Sequence, residues 1–396
     1  MMRVLVTGSA GFVGRNLVES LCNIRDGKDM RPQYAGFLPL VVDTFDADDE
    51  PEALAERAAT ADAVVHLAGV NRPEDLADFV RGNRDLTQVL VDALEAAGNQ
   101  CPVVLASSVQ ATLEGRYAGS DYGRSKREAE NVLHEHSRRT GAEALIYRLP
   151  NVYGKWCRPN YNSVVATFCY NTARGLPLRV DDPSTSLELI YIDDLVSCIL
   201  DALLGKARRT EDGFCQAGPT DHVTLGQIVD LLRSFSETQG TCALMDVTPG
   251  TFATKLLSTY MSYLPPVDAT HALRVNSDER GSFVELLRAP GFGQVSFNVV
   301  KPGKTKGQHW HHSKWEKFCV VAGEGVIAQR PVSPREGEPA ETTIVNVRSS
   351  EPTMVDILPG YTHRITNTSA TDDLVVVMWA NEQFDPGCPD TYRLEV

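Results

Sequence analysis

No stretch of this chain stays apolar for anything near the ~18 residues that a membrane-spanning helix needs, so no membrane partner is expected. Cysteines number nine, an odd count, and none stands in CxxC spacing or in a dense framework. That excludes a disulfide scaffold and points to reduced thiols in a cytoplasmic protein. Positive charge is also scarce: 38 Lys and Arg against 52 Asp and Glu leave a net charge of -14. Such a balance argues against a nucleic-acid or anionic-membrane surface. An anionic substrate would need its own local cluster of Lys and Arg. Met1 leads almost directly into "RVLVT", so no signal peptide is expected. Internal repeats and low-complexity tracts are absent.

What is present divides in two. Up to about Tyr153, short β-branched runs alternate with helical spacing of apolar residues. "RVLVT", "LPLVVD", "AVVHLAG", "PVVLASS" and "EALIYRLP" read as buried strands. Strand–helix alternation of this kind predicts a parallel sheet with helices on both faces. The polar segment "DGKDMRPQYAG" (26–36) reads as a loop insertion. From about Val275 the pattern becomes short strands between Gly, Pro, Asn and Asp turns, which predicts a small antiparallel barrel or sandwich. The expected division is a nucleotide-binding domain over 1–250, a connector with some helix over 251–271, and a β-domain over 272–396.

"VLVTGSAGFVG" sets Gly8, Gly11 and Gly14 between the first strand and the first helix. Glycine there permits a tight turn and close approach of backbone N–H groups to a pyrophosphate. "YGRSK" places Tyr122 and Lys126 four apart on one helical face. A phenol with a pKa of ~10 needs a nearby cation before it can trade protons near neutrality. Lys126 supplies that cation and can hold a nicotinamide ribose. Ser107 and Ser108 end the preceding strand, where a hydroxyl can meet a substrate carbonyl. Coenzyme choice stays open on these residues. Asp43 would accept the ribose 2′-OH of NAD, whereas Arg15 could meet a 2′-phosphate, and the acidic run that follows Asp43 also reads as a solvated loop.

With "HLAG", Asn83 in "GNRDLTQ", "YRLPNVYG" and "YIDDL" added, residues 2–245 resemble the extended short-chain dehydrogenase/reductase family. The resemblance implies cofactor contacts from Gly8, Gly11, Phe12, Val13, Gly14, Leu67, Ala68, Gly69, Asn83, Tyr122, Lys126 and Arg148. It also implies that Ser108 and Tyr122 face a nucleotide-activated hexose, with Asn151 near its phosphate. Dehydratases of this family carry acids after the serine strand. "SSVQATL" has none, which leaves reduction or epimerisation.

Further along, "GKTKGQHWHHSKWEKFCVVAGEG" puts His309 and His311 on one face of a strand, with Glu316 across a turn. "PGYTHRITN" supplies His363. Three imidazoles and one carboxylate suit Zn²⁺, or else Fe, Mn or Ni. His312 is out of phase and is read as a non-ligand. The two stretches resemble both halves of the cupin signature.

The whole chain therefore reads as an α/β Rossmann-like, doubly wound parallel sheet followed by an all-β cupin barrel. Together with "GKWCRPNYNSVVATFCY", "STYMSYLP", "DERGSF" and "FDPGCPDTYRLEV", it resembles the bifunctional CapF-type enzymes of capsular polysaccharide synthesis. That resemblance implies a cytoplasmic homodimer in the route to UDP-N-acetyl-L-fucosamine. The barrel would invert C-3 of a UDP-4-keto-6-deoxy-acetamido sugar. The reductase would then reduce C-4 with NADPH, NADH remaining open. Lys155, Arg158, Arg174 and Arg179 are candidate diphosphate partners, and Lys306 and Tyr361 candidate bases in the barrel. The competing reading is an NAD-retaining UDP-sugar 4-epimerase whose cupin is not catalytic.

Overall fold

The computed structural model describes residues 1–333 and 341–396. Contacts divide the chain into two units, Met1–Arg233 with Pro249–Leu264, and Ser234–Thr248 with Pro265–Val396.

The first unit is built on five parallel strands: β1 (Met2–Thr7), β2 (Leu40–Phe45), β3 (Ala63–His66), β4 (Val103–Ser108) and β5 (Ala144–Leu149). Their order in the sheet is β2-β1-β3-β4-β5. Both faces are buried, which explains why the strands read as continuous apolar runs rather than alternating ones. On β1, Val4 and Val6 pack against Leu17, Leu21 and Ile24 on one face. Leu5 points the other way, to Leu54, Leu90 and Leu94. The strand order reverses at β1 and β3, and this opens a crevice at their carboxyl ends.

Part of the segment read as a loop insertion is core. Pro32–Phe37 winds one short 3₁₀ helix, and its Tyr34 and Phe37 are buried with Leu17 and Leu21. A second, three-stranded sheet escaped the sequence because its members are short: β6 (Asn151–Tyr153), β7 (Ser186–Tyr191) and β8 (Thr220–Thr224). The helix Phe252–Met261 belongs to this unit: Phe252 meets the Tyr153 ring at 5.6 Å, and Lys255 pairs with Asp194 at 2.7 Å.

The second unit is antiparallel. One sheet has the order β16-β13-β18-β11-β10-β9, the other β15-β14-β17-β12-β19. The strands are β9 (Val275–Asp278), β10 (Gly281–Ala289), β11 (Gly293–Val300), β12 (Thr305–Trp310), β13 (Glu316–Ala322), β14 (Glu324–Pro331), β15 (Thr343–Arg348), β16 (Met354–Ile357), β17 (Tyr361–Asn367), β18 (Leu374–Ala380) and β19 (Tyr392–Arg393). Alternate residues from both sheets, among them Val300, Phe318, Ile327, Ile365 and Val376, fill the space inside. This is the cupin-like β-domain.

One irregularity decides which side chains face that interior. Lys306 pairs with Ile365 and His309 with His363, so β12 carries an extra residue between them. Gln308 takes up the excess with φ 63. A bulge of this kind re-aims the strand beyond it. Lys306, His309 and His311 consequently all lie on the inner face.

Candidate functional site

The crevice of the first unit is a groove of about 540 Å³ at the carboxyl ends of β1, β3 and β4. Gly8 has φ 71, and a Cβ there would sit 2.5 Å from the Ala68 nitrogen. A Cβ on Gly14 would lie 2.1 Å from the Gly8 carbonyl oxygen. Only glycine fits either position. Gly8, Gly11, Phe12, Val13, Gly14, Leu67 and Gly69 all line the groove, whereas Ala68 stands behind Gly8.

Helix Asp121–Thr140 brings Tyr122 and Lys126 to the same groove, and Ser107 and Ser108 arrive from the end of β4. Lys126 is buried and donates to the Ala106 carbonyl at 3.0 Å, with its Nζ 5.9 Å from the Tyr122 ring centre. Burial lowers its pKa to about 8, the Glu130 charge opposing that shift. Burial pushes the Tyr122 phenol up to about 12, and a hydrogen bond with Ser108 works the other way. The phenol therefore holds its proton at neutral pH. The carboxamide of Asn151 and the side chain of Arg158 complete the far wall, with Gln110, Tyr117 and Trp156 beside them.

Besides Ala68, four residues expected to meet the cofactor do not line the groove: Arg148, Asn83, Asp43 and Arg15. Arg148 grips Glu130 at 3.0 and 2.6 Å and covers the Phe214 ring at 3.8 Å. Asn83, 1% exposed, spends its amide on Val70 and on Ser125, closing the loop after β3 onto helix Asp121–Thr140. Asp43 pairs with Arg3 at 2.8 Å, because β2 runs two residues past it to Phe45. The carboxylate above the glycine loop is that of Asp46. It accepts from the Ala10 nitrogen at 3.0 Å and from the Ser9 hydroxyl. Arg15 lies over Trp156, 4.4 Å from its centre. Of the candidate diphosphate cations, only Arg158 lines the groove. Lys155 pairs with Asp193, Arg174 covers Tyr170, and Arg179 pairs with Asp181 at the surface.

Inside the barrel, one ligand atom from each of His309, His311, Glu316 and His363 lies within 4.8 Å of the others. Nε2 of His311 and Nε2 of His363 each stand 3.5 Å from Glu316 Oε2. None of these three atoms has a hydrogen-bond partner. A tetrahedral ion with bonds of about 2.1 Å sets its ligand atoms about 3.4 Å apart, so the donor set and spacing fit a divalent cation. His311 Nδ1 faces the Asp390 carbonyl at 2.5 Å, which fixes the tautomer that leaves Nε2 free to ligate. Burial drives His363 down to about 3 and lowers His309 too. For Glu316, burial alone would raise the pKa, but His311, 3.5 Å away, and the other facing imidazoles bring it below the usual range. His311 moves the other way: burial lowers it, but Glu316 and the Asp390 carbonyl outweigh burial and raise it. Metal binds neutral imidazoles and an ionised carboxylate, so a cation here would displace the His311 proton. His312 stays outside, between the rings of Trp310 and Tyr392.

The NAD dependent epimerase/dehydratase family matches residues 4–213, and the polysaccharide biosynthesis C-terminal domain matches 276–392. The UDP-2-acetamido-2,6-beta-L-arabino-hexul-4-ose reductase of Pseudomonas aeruginosa is 38% identical over 100% of this chain and 99% of its own. The chain belongs to the NAD dependent epimerase/dehydratase family. Within that family it is of the CapF type. The capsular polysaccharide assembling protein CapF of Staphylococcus aureus is 41% identical, covers both chains in full and superposes with a TM-score of 0.87. The UDP-N-acetylglucosamine 4-epimerase of Bacillus cereus covers 66% of this chain and 96% of its own, at 22% identity and a TM-score of 0.51, and shares the fold of this part. The chain is thus a nicotinamide-dependent enzyme of nucleotide-sugar chemistry with a CapF-type β-domain. Among the described residues no helix is long and apolar enough to cross a membrane. Gln110 and Tyr117 were missed in the sequence, where the absence of acids after "SS" drew attention away from what replaces them.

Proposed function

We propose that the barrel inverts C-3 of a UDP-4-keto-6-deoxy-2-acetamido-hexose, and that the first unit then reduces its C-4 ketone with NAD(P)H. The product would be a UDP-2-acetamido-2,6-dideoxy-talose-type sugar for surface polysaccharide. One observation carries the reading: a single chain holds both a Ser108–Tyr122–Lys126 groove and a His₃Glu cluster in which the facing atoms of His311, Glu316 and His363 have no hydrogen-bond partner. The full-length Pseudomonas relative, described as a reductase of a 4-ketose, supports the second half.

Bound nicotinamide supplies the hydride to C-4. Tyr122 gives its proton to the carbonyl oxygen as the alkoxide forms, and Ser108 holds that oxygen. The Lys126 ammonium stabilises the phenolate left behind, in a site dry enough to make the charge effective. Asp46, above the glycine loop, lies where a carboxylate accepts a ribose 2′-OH and repels a 2′-phosphate. It favours NADH over the NADPH that the resemblance implied. In the barrel, His309, His311, Glu316 and His363 would hold a divalent ion, zinc first, which supplies Lewis-acid polarisation of a carbonyl. The CapF resemblance also supports a cytoplasmic homodimer, checked by light scattering and fractionation.

The test is incubation with the 4-keto sugar in deuterated water. Deuterium entering at C-3, with one nicotinamide oxidised per sugar reduced, is the expected result. Turnover without net nicotinamide consumption would instead identify an NAD-retaining 4-epimerase.

A further inference from the structure

Lys306 is a buried ammonium without an acid. Its residue is 9% exposed. Nζ donates to the Ser282 carbonyl at 2.9 Å and to Asn298 Oδ1 at 3.1 Å. Among the described residues no carboxylate lies within ion-pair distance of it. The charges that it senses, Asp278 and Arg280, are bound to each other at 2.6 Å. A buried cation left with neutral partners is costly unless something anionic is meant to meet it.

Its position says where that anion would be. The bulge at Gln308 returns Lys306 to the face that carries His309 and His363. Its ladder partner Ile365 is two residues from His363, so the lysine stands about 7 Å along the wall from the cluster. Asn298 reaches inward from the opposite sheet, two residues from core Val300, and its amide is oriented by donating to Met378 Sδ at 3.2 Å. Two of the three N–H bonds of Lys306 are therefore committed, which fixes the direction of the third. A donor held in this way before the substrate arrives needs no reorganisation as charge develops.

We propose that Lys306 is a catalytic residue of the barrel, the donor that stabilises the enolate oxygen formed at C-4 during C-3 inversion. The inference rests on the barrel being the epimerising site. When the C-3–H bond breaks, the proton passes to a solvent-exchangeable base. The bonding pair becomes the C-3–C-4 double bond, and the carbonyl pair moves onto the C-4 oxygen, which accepts the third N–H. Return of a proton to the opposite face of C-3 restores the ketone and the balance. Burial lowers the lysine pKa, and that makes its ammonium a stronger donor.

The experiment measures C-3 deuterium exchange by NMR in the full-length, zinc-loaded protein with the UDP-4-keto sugar. Lys306→Met keeps the apolar stem, and Lys306→Gln keeps a donor to Ser282 without the charge. Both are expected to lose at least 100-fold in exchange rate, with metal content unchanged and half-saturation within fivefold. Methylammonium should restore at least tenfold in Lys306→Ala. Exchange within threefold of wild type in both charge-free variants overturns the assignment. So does a loss that accompanies loss of zinc, or one that methylammonium does not restore. His311→Ala, run in parallel, separates the two readings. If it also exchanges normally, the barrel is not the epimerising site. If it is dead while Lys306→Met is active, only the lysine is wrong.

Discussion

Arg148 closes both arms of its guanidinium on the Glu130 carboxylate, which is 2% exposed and also accepts from Ser107 at 2.5 Å. Glu130 sits one helical turn beyond Lys126, so this buried pair ties helix Asp121–Thr140 to the ends of β4 and β5. Removing one partner strands the other charge. Glu130→Ala is expected to lose about 3–5 kcal/mol in urea unfolding. The double variant Glu130→Ala/Arg148→Met should recover part of that loss, because no charge is then left unpaired. Equal and additive losses would show that the pair is not coupled.

In the proposed mechanism the phenol carries the reduction. Tyr122→Phe removes one hydroxyl from a groove wall and is expected to slow nicotinamide oxidation by about 10²–10⁴-fold, the usual range for a positioned proton donor. The melting temperature should hardly move. Rates near wild type would take the proton-donor role from Tyr122.

Coenzyme choice separates Asp46 from Asp43, the carboxylate that the sequence offered. Asp46→Ala is expected to raise affinity for NADPH relative to NADH by tenfold or more, read by nicotinamide fluorescence titration. Asp43→Ala should leave the ratio alone and cost at most about 1 kcal/mol, the worth of a partly exposed ion pair. The opposite pattern would return the ribose to Asp43.

His66 should make the first unit acid-sensitive. It is 1% exposed, with Nδ1 at 2.7 Å from the Thr7 hydroxyl and Nε2 at 3.0 Å from that of Thr87. The Thr87 hydroxyl donates to the Asn83 carbonyl, so it accepts from Nε2–H, the arrangement of a neutral ring. Burial first, and the Lys126 charge second, lower the folded pKa to about 3. An unfolded histidine takes its proton near pH ~6.5. The unfolded state therefore binds more protons below that value, and stability falls with pH from about 6.5 towards 3, by up to about 1.4 kcal/mol per unit. His66→Gln is expected to flatten this slope in chemical denaturation. An unchanged slope would place the sensitivity elsewhere.

What the sequence showed and what it hid have physical causes. That Tyr122 and Lys126, Gly8 and Gly14, and the four residues of the barrel cluster come together in groups was legible because each group follows a fixed local spacing of residue types. Asp43 is not the last residue of β2, as it reads in the sequence, because the end of that strand depends on its register with β1, where Thr7 pairs with Phe45. Arg148 and Asn83, which the resemblance implied as cofactor contacts, have partners, Glu130 and Val70, that lie 18 and 13 residues away and that local spacing does not reveal. The barrel itself was visible in its turns. The inward turn of Lys306 was not, since it hangs on one bulge residue, Gln308.

The last expectation joins the two chemistries. A 4-keto sugar inverted at C-3 can enolise back, and reduction at C-4 removes it from that equilibrium. Covalent linkage holds the two sites at a mutual concentration of roughly millimolar for short linkers, so the two steps share a chain while remaining separable in function. His311→Ala strips one ligand and the orienting bond to Asp390, and zinc content should fall with it. Deuterium uptake at C-3 should then vanish, while a substrate already inverted is still reduced through Tyr122. Conversely, Tyr122→Phe should exchange C-3 hydrogen at full rate with no nicotinamide present. If His311→Ala lost its zinc and kept full exchange, the cluster would be a structural tie across β12, β13 and β17, and the inversion would belong to the groove of the first unit.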